Sequence, residues 1–150
     1  METLQLHKML TVHLHIDEPQ SLCRPHQGKR RSGEIRGGEF HGERLQGRVL
    51  AGGSLFLVPQ DDNIARFSVY YTLMTDDGIT IDVVGEGLVA VDGTDQAPLT
   101  EAYCRCTCST QFSVPSGDHD YLQRNLYIGG VNIKAGDTSM RFSIFQVNQI

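Results

Sequence analysis

The sequence predicts an all-β protein, a single antiparallel β-barrel of about eight strands with at most one short helix. Three observations support this prediction. Apolar residues recur with a period of two, which is the period of a β-strand. Glycines in the first half of the chain are too dense for a helix, and turn signals separate nearly all the extended segments. Because no amphipathic helix is present to cover an open sheet, closure into a barrel is the favoured way to remove the sheet edges.

The first predicted strand runs from Leu4 to Ile16. Its apolar residues all fall on even positions, interrupted only by Lys8: Leu4, Leu6, Leu10, Val12, Leu14 and Ile16. A single uninterrupted strand would place all of them on one face. The odd positions, which include His13 and His15, would then form a polar face.

The segment from residue 33 to residue 53 is rich in glycine. The glycines are Gly33, Gly37, Gly38, Gly42, Gly47, Gly52 and Gly53. Each glycine would destabilise a helix by about 1 kcal/mol, whereas glycines in strands mark bulges and tight bends. We therefore predict that Leu45–Val58 forms two extended pieces with a bend at Gly52-Gly53.

A β-hairpin is predicted at Asp76-Asp77-Gly78, between the extended segments Phe67–Thr75 and Ile79–Val84. A three-residue loop with Gly78 in the left-handed conformation collects one aromatic and four apolar side chains on one face: Tyr71, Leu73, Ile79, Ile81 and Val83. A two-residue turn would instead put Asp82 on the face of Tyr71 and Leu73. The pattern favours the three-residue loop, which leaves Asp82 on the opposite face.

Further strands are predicted at Ala102–Phe112, Asn125–Val131 and Ser139–Val147, and only Asp118–Arg124 has the pattern of a helical turn or two. The chain has 150 residues, the length of one ordinary domain, so we predict a single domain over residues 1–150.

Charge and hydropathy exclude several classes of protein. Thirteen Lys and Arg residues against eighteen Asp and Glu residues give a net charge of −5, which disfavours a nucleic-acid partner. The basic run Lys29-Arg30-Arg31 has no interleaved aromatic residues, so we interpret it as a solvated turn. No apolar run approaches the roughly 18 residues of a membrane span, and polar residues interrupt the first ten positions. We therefore expect a cytoplasmic protein with no membrane partner.

The four cysteines do not have the pattern of a disulfide framework or a zinc site. Cys104, Cys106 and Cys108 would be spread along a strand in steps of about 6.6 Å, too far apart for one zinc ion. His13-x-His15 could start a metal site, but no third ligand is identifiable. The sequence thus predicts free thiols and no metal.

The string Gly85-x-Gly87-x-x-Ala90 follows a predicted strand and superficially matches a dinucleotide-binding fingerprint. That motif must open a helix whose N-terminus holds the pyrophosphate, and Gly93 and Pro98 would end any helix here. We therefore expect no nucleotide cofactor, and no other cofactor motif is present.

Three strings carry a family resemblance: Gly37–Gly42, Leu45–Gly53 and Tyr71–Gly78. In this order and spacing they resemble DUF3237, a bacterial and fungal domain-of-unknown-function family. Tyr103-Cys104-Arg105, Phe112, Tyr121–Arg124 and Tyr127-Ile128-Gly129 continue the same order towards the C-terminus. The resemblance implies a compact antiparallel barrel similar to calycin and allene-oxide-cyclase barrels, in a small cytoplasmic protein that is often a homo-oligomer.

This chain departs from the family pattern at two places. The family usually has Asp-Trp after the double glycine, where this chain has Leu55-Phe56, and Trp-Leu-Asn where this chain has Tyr121-Leu122-Gln123. These changes fit a pocket adapted to a more apolar ligand.

The leading hypothesis for function is a cofactor-independent isomerase or cyclase, or a lyase, of secondary metabolism that encloses a hydrophobic small molecule in the barrel. Arg105 would polarise a carbonyl, Tyr71 or Tyr103 would donate a hydrogen bond, and Glu86 or Asp82 would take a proton. The residues expected to bind the substrate are Tyr121, Gln123, Phe56 and Leu73.

Two alternatives stay open, a non-catalytic small-molecule-binding barrel and a structural subunit of an oligomer. The orientation of Arg105 is also open. It alternates with Tyr103, Thr107 and Ser109, and this row faces either the interior or the solvent. An inward arginine would need a partner such as a ligand oxygen.

Overall fold

The computed structural model of the protein describes residues 3–17, 31–60, 64–91, 104–132 and 139–149. Within these ranges the chain forms ten β-strands, all paired antiparallel, and one 3-10 helix, Asp120–Gln123. The strands are Leu4–His15 (β1), Arg31–Ile35 (β2), Gly37–Gly42 (β3), Gln46–Val49 (β4), Gly53–Pro59 (β5), Ile64–Thr75 (β6), Thr80–Val91 (β7), Cys104–Ser113 (β8), Leu126–Asn132 (β9) and Ser139–Gln149 (β10).

The ten strands make an eight-stranded closed barrel, because two pairs of short strands each act as one interrupted strand. β2 and β3 are separated only by Arg36, and β4 and β5 only by residues 50–52. β2 pairs with β5 and β3 pairs with β4, while β4 and β5 both pair with the same side of β6. The pairings β6–β7 and β1–β10 complete the ring. The predicted all-β barrel with one short helical segment is confirmed.

One glycine shows why this part of the sequence needs small residues. A Cβ atom added at Gly47 would lie 2.0 Å from the carbonyl oxygen of Met74 on the neighbouring strand. No side chain fits at that distance, so only glycine permits this close approach of β4 to β6.

The predicted hairpin between β6 and β7 has the predicted register. The Thr75 amide donates to the Ile79 carbonyl at 2.9 Å and the Gly78 amide donates to the Thr75 carbonyl at 2.9 Å, with φ of +90° at Gly78. Tyr71 pairs with Val83 across the two strands, and both are buried. The three-residue loop is therefore confirmed.

The prediction of one uninterrupted apolar face on the first strand was wrong. A β-bulge shifts the pairing with β10 between Lys8 and Leu10. The extra residue moves the side chains that precede it to the other face of the strand. Leu4 and Leu6 are therefore 66% and 53% exposed on the outer wall, whereas Leu10 and the even positions after it are buried.

Large side chains that are almost completely buried line the barrel interior. The Phe142 ring packs between two of them, with ring centroids 6.1 Å from Phe67 and 6.3 Å from Tyr71. The other large buried side chains of the strands and their flanking residues are Leu10, Leu14, Ile35, Leu55, Leu73, Ile81 and Ile144. Each such side chain stabilises the fold by about 1.5–3 kcal/mol relative to its exposed state.

Connections in this barrel alternate between its two ends. One end carries the turn between β3 and β4, the hairpin between β6 and β7, and the 3-10 helix between β8 and β9. We call it the helix end. Leu122 of the 3-10 helix is buried there and belongs to the core cluster. No helix in the described part of the chain is long and apolar enough to span a membrane.

Candidate functional site

Two of the predicted site residues, Tyr71 and Leu73, lie inside the barrel. Tyr71 is 1% exposed and Leu73 has no exposed surface. Burial raises the pKa of the Tyr71 phenol far above its ordinary value, with a smaller contribution from nearby Cys108. Tyr71 is therefore a neutral phenol packed in the core.

Three other predicted site residues, Asp82, Glu86 and Phe56, are exposed on the outer wall. The Asp82 carboxylate accepts a hydrogen bond from the Thr72 hydroxyl at 2.8 Å. Glu86 pairs with Ser68 and Ser109 on the neighbouring strands, and Phe56 is 49% exposed. The barrel wall separates all three from Tyr71, so the structure does not bring these carboxylates and the interior phenol to one site.

The structure leaves the predictions for Tyr103 and Arg105 untested. Tyr103 lies outside the described residues. Arg105 belongs to β8 and pairs with Ala90 of β7, but its side chain is outside what is described. Further along β8, Cys106 and Cys108 are buried.

The two remaining predicted residues, Tyr121 and Gln123, lie together at the helix end. The Gln123 side-chain carbonyl accepts a hydrogen bond from the Val114 amide at 2.8 Å and so holds the 3-10 helix to the end of β8. The Tyr121 carbonyl accepts hydrogen bonds from Asn125 Nδ2 at 2.9 Å and from the Tyr127 hydroxyl at 3.3 Å. These bonds fix the backbone that carries the Tyr121 side chain.

Tyr121 is the centre of a cluster of ionisable groups that also contains Arg44, Asp77, His119 and Tyr127, which we call the Tyr121 cluster. The Arg44 guanidinium carbon lies 3.7 Å from the centroid of the Tyr121 ring, a cation–π contact. The His119 ring meets the Tyr121 ring edge-on, with centroids 6.3 Å apart. Among the residues that the structure describes, Arg44 forms no ion pair with a carboxylate.

Two polar atoms of the cluster are buried without a hydrogen-bond partner in the described structure, the Tyr121 hydroxyl and His119 Nδ1. A buried polar group without a partner costs about 1–3 kcal/mol, so a hydrogen bond from a solvent molecule or a ligand at these atoms would stabilise the protein. Burial raises the pKa of Tyr121, and the positive charge of Arg44 opposes this shift.

Asp77 and Tyr127 complete the cluster from two other elements. The Asp77 carboxylate accepts a hydrogen bond from the Thr75 hydroxyl, which lowers the Asp77 pKa, and nearby His119 lowers it further by a smaller amount. Tyr127 is buried against Phe112, with ring centroids 5.0 Å apart, and this burial raises its pKa. The helix end thus combines a carboxylate, an imidazole, two phenols and a guanidinium.

Sequence reasoning placed Tyr121 in the site and missed Arg44, Asp77 and His119. Arg44 falls between two of the strings that carry the family resemblance, Gly37–Gly42 and Leu45–Gly53. These residues come from three separate connections, and nothing local in the sequence indicates that the connections meet.

Two of the four cysteines, Cys106 and Cys108, lie in the barrel interior. Cys106 and Cys108 are free thiols, and burial raises the pKa of each, so both are protonated at neutral pH. Gly129 leaves room for Cys108, because a Cβ atom at Gly129 would lie 3.0 Å from the Cys108 sulfur.

His13 and His15, considered above as metal ligands, have other partners. His13 stacks on His41 with centroids 6.2 Å apart, and His15 pairs with Glu39 at 3.3 Å. Within the described ranges no three His, Cys, Asp or Glu side chains lie close enough together to hold a metal ion.

A protein-family model matches nearly the whole chain. The model of the family described as "Protein of unknown function (DUF3237)" matches residues 4–147. The chain belongs to the DUF3237 family. No curated protein matches this DUF3237 chain.

Solved structures with the same fold span nearly all of this DUF3237 chain. A conserved protein of unknown function from Rhodopseudomonas palustris is 22% identical, with a TM-score of 0.77, and the match covers 97% of this chain and 98% of that one. A protein of unknown function from Clostridium acetobutylicum is 15% identical, with a TM-score of 0.80 and coverage of 97% and 100%. An enzyme from Penicillium herquei is 15% identical, with a TM-score of 0.63 and coverage of 98% and 95%. At these identities the likeness shows the fold.

The structure also locates one departure from the DUF3237 pattern. Leu55 has no exposed surface and lies in the barrel interior. The position at which the resemblance predicts a carboxylate thus holds a buried apolar side chain.

Proposed function

We propose that this protein is a cofactor-independent enzyme, an isomerase or cyclase, that moves a proton on a hydrophobic small molecule held at the helix end of the barrel. One observation carries the proposal. The Tyr121 hydroxyl and His119 Nδ1 are both buried without hydrogen-bond partners in the same cluster. A ligand oxygen that accepts a hydrogen bond from Tyr121 would recover free energy that the ligand-free protein forgoes.

The cluster supplies the two groups that proton transfer needs. A neutral imidazole with its proton on Nε2 presents Nδ1 as a base, and a phenol donates a hydrogen bond to a carbonyl oxygen. His119 would remove a proton from the carbon next to a carbonyl group, and the electron pair would move onto the carbonyl oxygen. Tyr121 would stabilise the resulting enolate, and the nearby positive charge of Arg44 favours it.

The reaction then closes without an oxidant or a cofactor. In an isomerase, His119 returns the proton to a different carbon of the enolate. In a cyclase, the enolate carbon attacks a second carbonyl carbon of the same molecule, and the new alkoxide oxygen takes the proton back. Both outcomes conserve the composition of the substrate.

We expect a ligand to reach the cluster by displacing the Arg44 side chain. The Tyr121 hydroxyl and His119 Nδ1 are covered in this state, while the Arg44 side chain is exposed on the turn between β3 and β4. Movement of this long side chain off the Tyr121 ring breaks one cation–π contact, worth about 0.5–1 kcal/mol at an exposed site. The ligand would take its place.

The fold supports catalysis in principle, because the Penicillium herquei structure with the same fold is an enzyme. The other predicted catalytic residues, Tyr103, Arg105, Tyr71, Glu86 and Asp82, stay predictions, as do the homo-oligomer and the cytoplasmic location. The large buried side chains of the interior favour one alternative, a structural barrel.

Deuterium exchange of a simple ketone distinguishes the two functions. We expect the protein to accelerate exchange of the α-protons of 2-tetralone in D2O, observed by NMR. Tyr121→Phe and His119→Gln should each slow the catalysed exchange by about 100-fold or more, because each removes one member of the acid–base pair.

The controls are Tyr70→Phe and His41→Gln, which change the same residue types on the exposed outer wall. Both should exchange at the wild-type rate. Wild-type exchange no faster than in buffer, or equal losses in the controls, would favour the structural barrel.

A further inference from the structure

We infer that the ligand of the Tyr121 cluster is an aromatic monocarboxylate whose carboxylate group is bound by Arg44. This deepens the proposed function and rests on it for the catalytic part, since it names the substrate class of the same site.

Arg44 has free hydrogen-bond donors in the described structure. Its planar guanidinium is exposed, and no acceptor in the described chain forms a hydrogen bond with it. The preceding residue, Glu43, pairs with His7 at 2.9 Å and not with Arg44. Arg36, before β3, pairs with Asp17 at 2.8 Å. Arg44 is thus a cation whose donors are available to a ligand.

The shape of the Arg44 guanidinium suits a carboxylate. A guanidinium presents its N–H groups in a flat fork that matches the two oxygens of a carboxylate. In the ligand-free protein the guanidinium lies 3.7 Å from the centroid of the Tyr121 ring, so a ligand that displaces it from the ring stays within its reach. A single guanidinium matches one negative charge, which favours a carboxylate over a phosphate dianion.

The helix end also carries apolar side chains. Three of the partly buried apolar side chains that pack on the core, Ile79, Val114 and Tyr121, come from connections at the helix end. The His119 ring adds a further flat face. A flat apolar body would rest on these side chains while its carboxylate reaches Arg44, and this arrangement selects an aromatic acid.

Arg44 has no competing carboxylate partner among the described residues. Three carboxylates at this end accept hydrogen bonds from other groups: Asp77 from Thr75, Asp76 from Gln46 Nε2 at 3.0 Å, and Asp120 from the Gly117 amide at 3.0 Å. Arg44 is therefore left to an incoming carboxylate.

Binding of 2-naphthoate and of its neutral analogue 2-acetylnaphthalene tests the inference, with affinities measured by isothermal titration calorimetry. We expect wild-type protein to bind the carboxylate at least about tenfold more tightly than the ketone, because a charge-assisted bidentate pair is stronger than a neutral hydrogen bond. Arg44→Met should lose about 10- to 100-fold in affinity for 2-naphthoate and little for the ketone. Arg44→Lys should recover only part of the loss, because lysine keeps the charge but not the fork.

The control is Arg48→Met, which removes an exposed arginine from β4 close to Arg44 in sequence. Its affinity for 2-naphthoate should equal that of the wild type. Equal affinity of Arg44→Met and wild type for 2-naphthoate, or an equal loss in Arg48→Met, would overturn the inference.

The two proposals can fail separately. If the wild type exchanges 2-tetralone protons but binds 2-naphthoate independently of Arg44, the inference fails and the proposed enzyme stands. If 2-naphthoate binds through Arg44 while no ketone exchanges, catalysis fails and the carboxylate site stands.

Discussion

Tyr71 and Tyr121 are two tyrosines of one barrel in opposite situations. Tyr71 lies in the interior against Phe142, far from solvent. Tyr121 lies half-buried at the helix end, under Arg44 and beside His119. Burial raises the pKa of both phenols, but only at Tyr121 does a nearby cation oppose the shift. The interior tyrosine is fully packed in the core, whereas the hydroxyl of the end tyrosine is buried without a hydrogen-bond partner in the described structure.

The largest expected difference in the free energy of unfolding is between a core truncation and removal of the Tyr121 hydroxyl. Phe142→Ala should lower the free energy of unfolding by about 3–5 kcal/mol, because it leaves a cavity next to Phe67 and Tyr71. Tyr121→Phe should change it by less than about 0.5 kcal/mol or raise it, because the hydroxyl has no partner to lose. Urea unfolding measures both. A large loss in Tyr121→Phe would mean that the hydroxyl is bonded within the fold.

An intermediate effect is expected at high pH. The folded-state pKa of Tyr71 is raised, so the unfolded chain loses this proton first, and stability falls as pH rises above about 10. The buried thiols of Cys106 and Cys108 add a similar fall that begins near pH 8.5. Tyr71→Phe should flatten the decline of the melting temperature between pH 8 and 11. Tyr121→Phe should flatten this decline less, because Arg44 opposes the rise in the Tyr121 pKa. An equal decline of melting temperature with pH in the two variants would contradict the contrast between Tyr71 and Tyr121.

The smallest effect concerns Asp77. The Thr75 hydrogen bond lowers its folded-state pKa, so its contribution to stability is present above about pH 4 and is lost as pH falls through the lowered value. Asp77→Asn should therefore lower the melting temperature slightly at pH 7 and not at pH 2. Asp118→Asn, on the exposed connection after β8, is the matched control. If Asp77→Asn lowered the melting temperature equally at pH 7 and pH 2, the loss would come from the changed side-chain shape and not from the charge.

Local sequence patterns predicted the strands well where one residue decides the geometry. Gly78 and the alternation around it determine the hairpin, and the same alternation correctly separates Asp82 from Tyr71. The bulge after Lys8 was missed because the even-numbered apolar residues continue through it. A period of two reports which residues share a face only while the strand stays regular.

The candidate site was less predictable than the strands. His119 contacts Tyr121 within the same connection, but Arg44 reaches Tyr121 only because closure of the barrel brings the turn between β3 and β4 next to the 3-10 helix. Each lies on a polar connection that looks solvated in the sequence. The side-chain contacts that define the site are therefore a property of the closed barrel.

The pairing of β1 with β10 has a consequence for how the chain folds. These strands stand at opposite ends of the described sequence, yet Leu4 pairs with Gln149 and His15 with Ser139. Bringing them together carries the largest loop-closure entropy of any pairing in the barrel, while the hairpin at Gly78 closes almost at once. We therefore expect local hairpins to form first and the β1–β10 pairing to form last. Until β1 and β10 pair, each of these strands exposes an unpaired edge. Leu4 and Leu6, turned outward by the bulge, then lie on an open edge, which makes the last step of folding the one most exposed to aggregation.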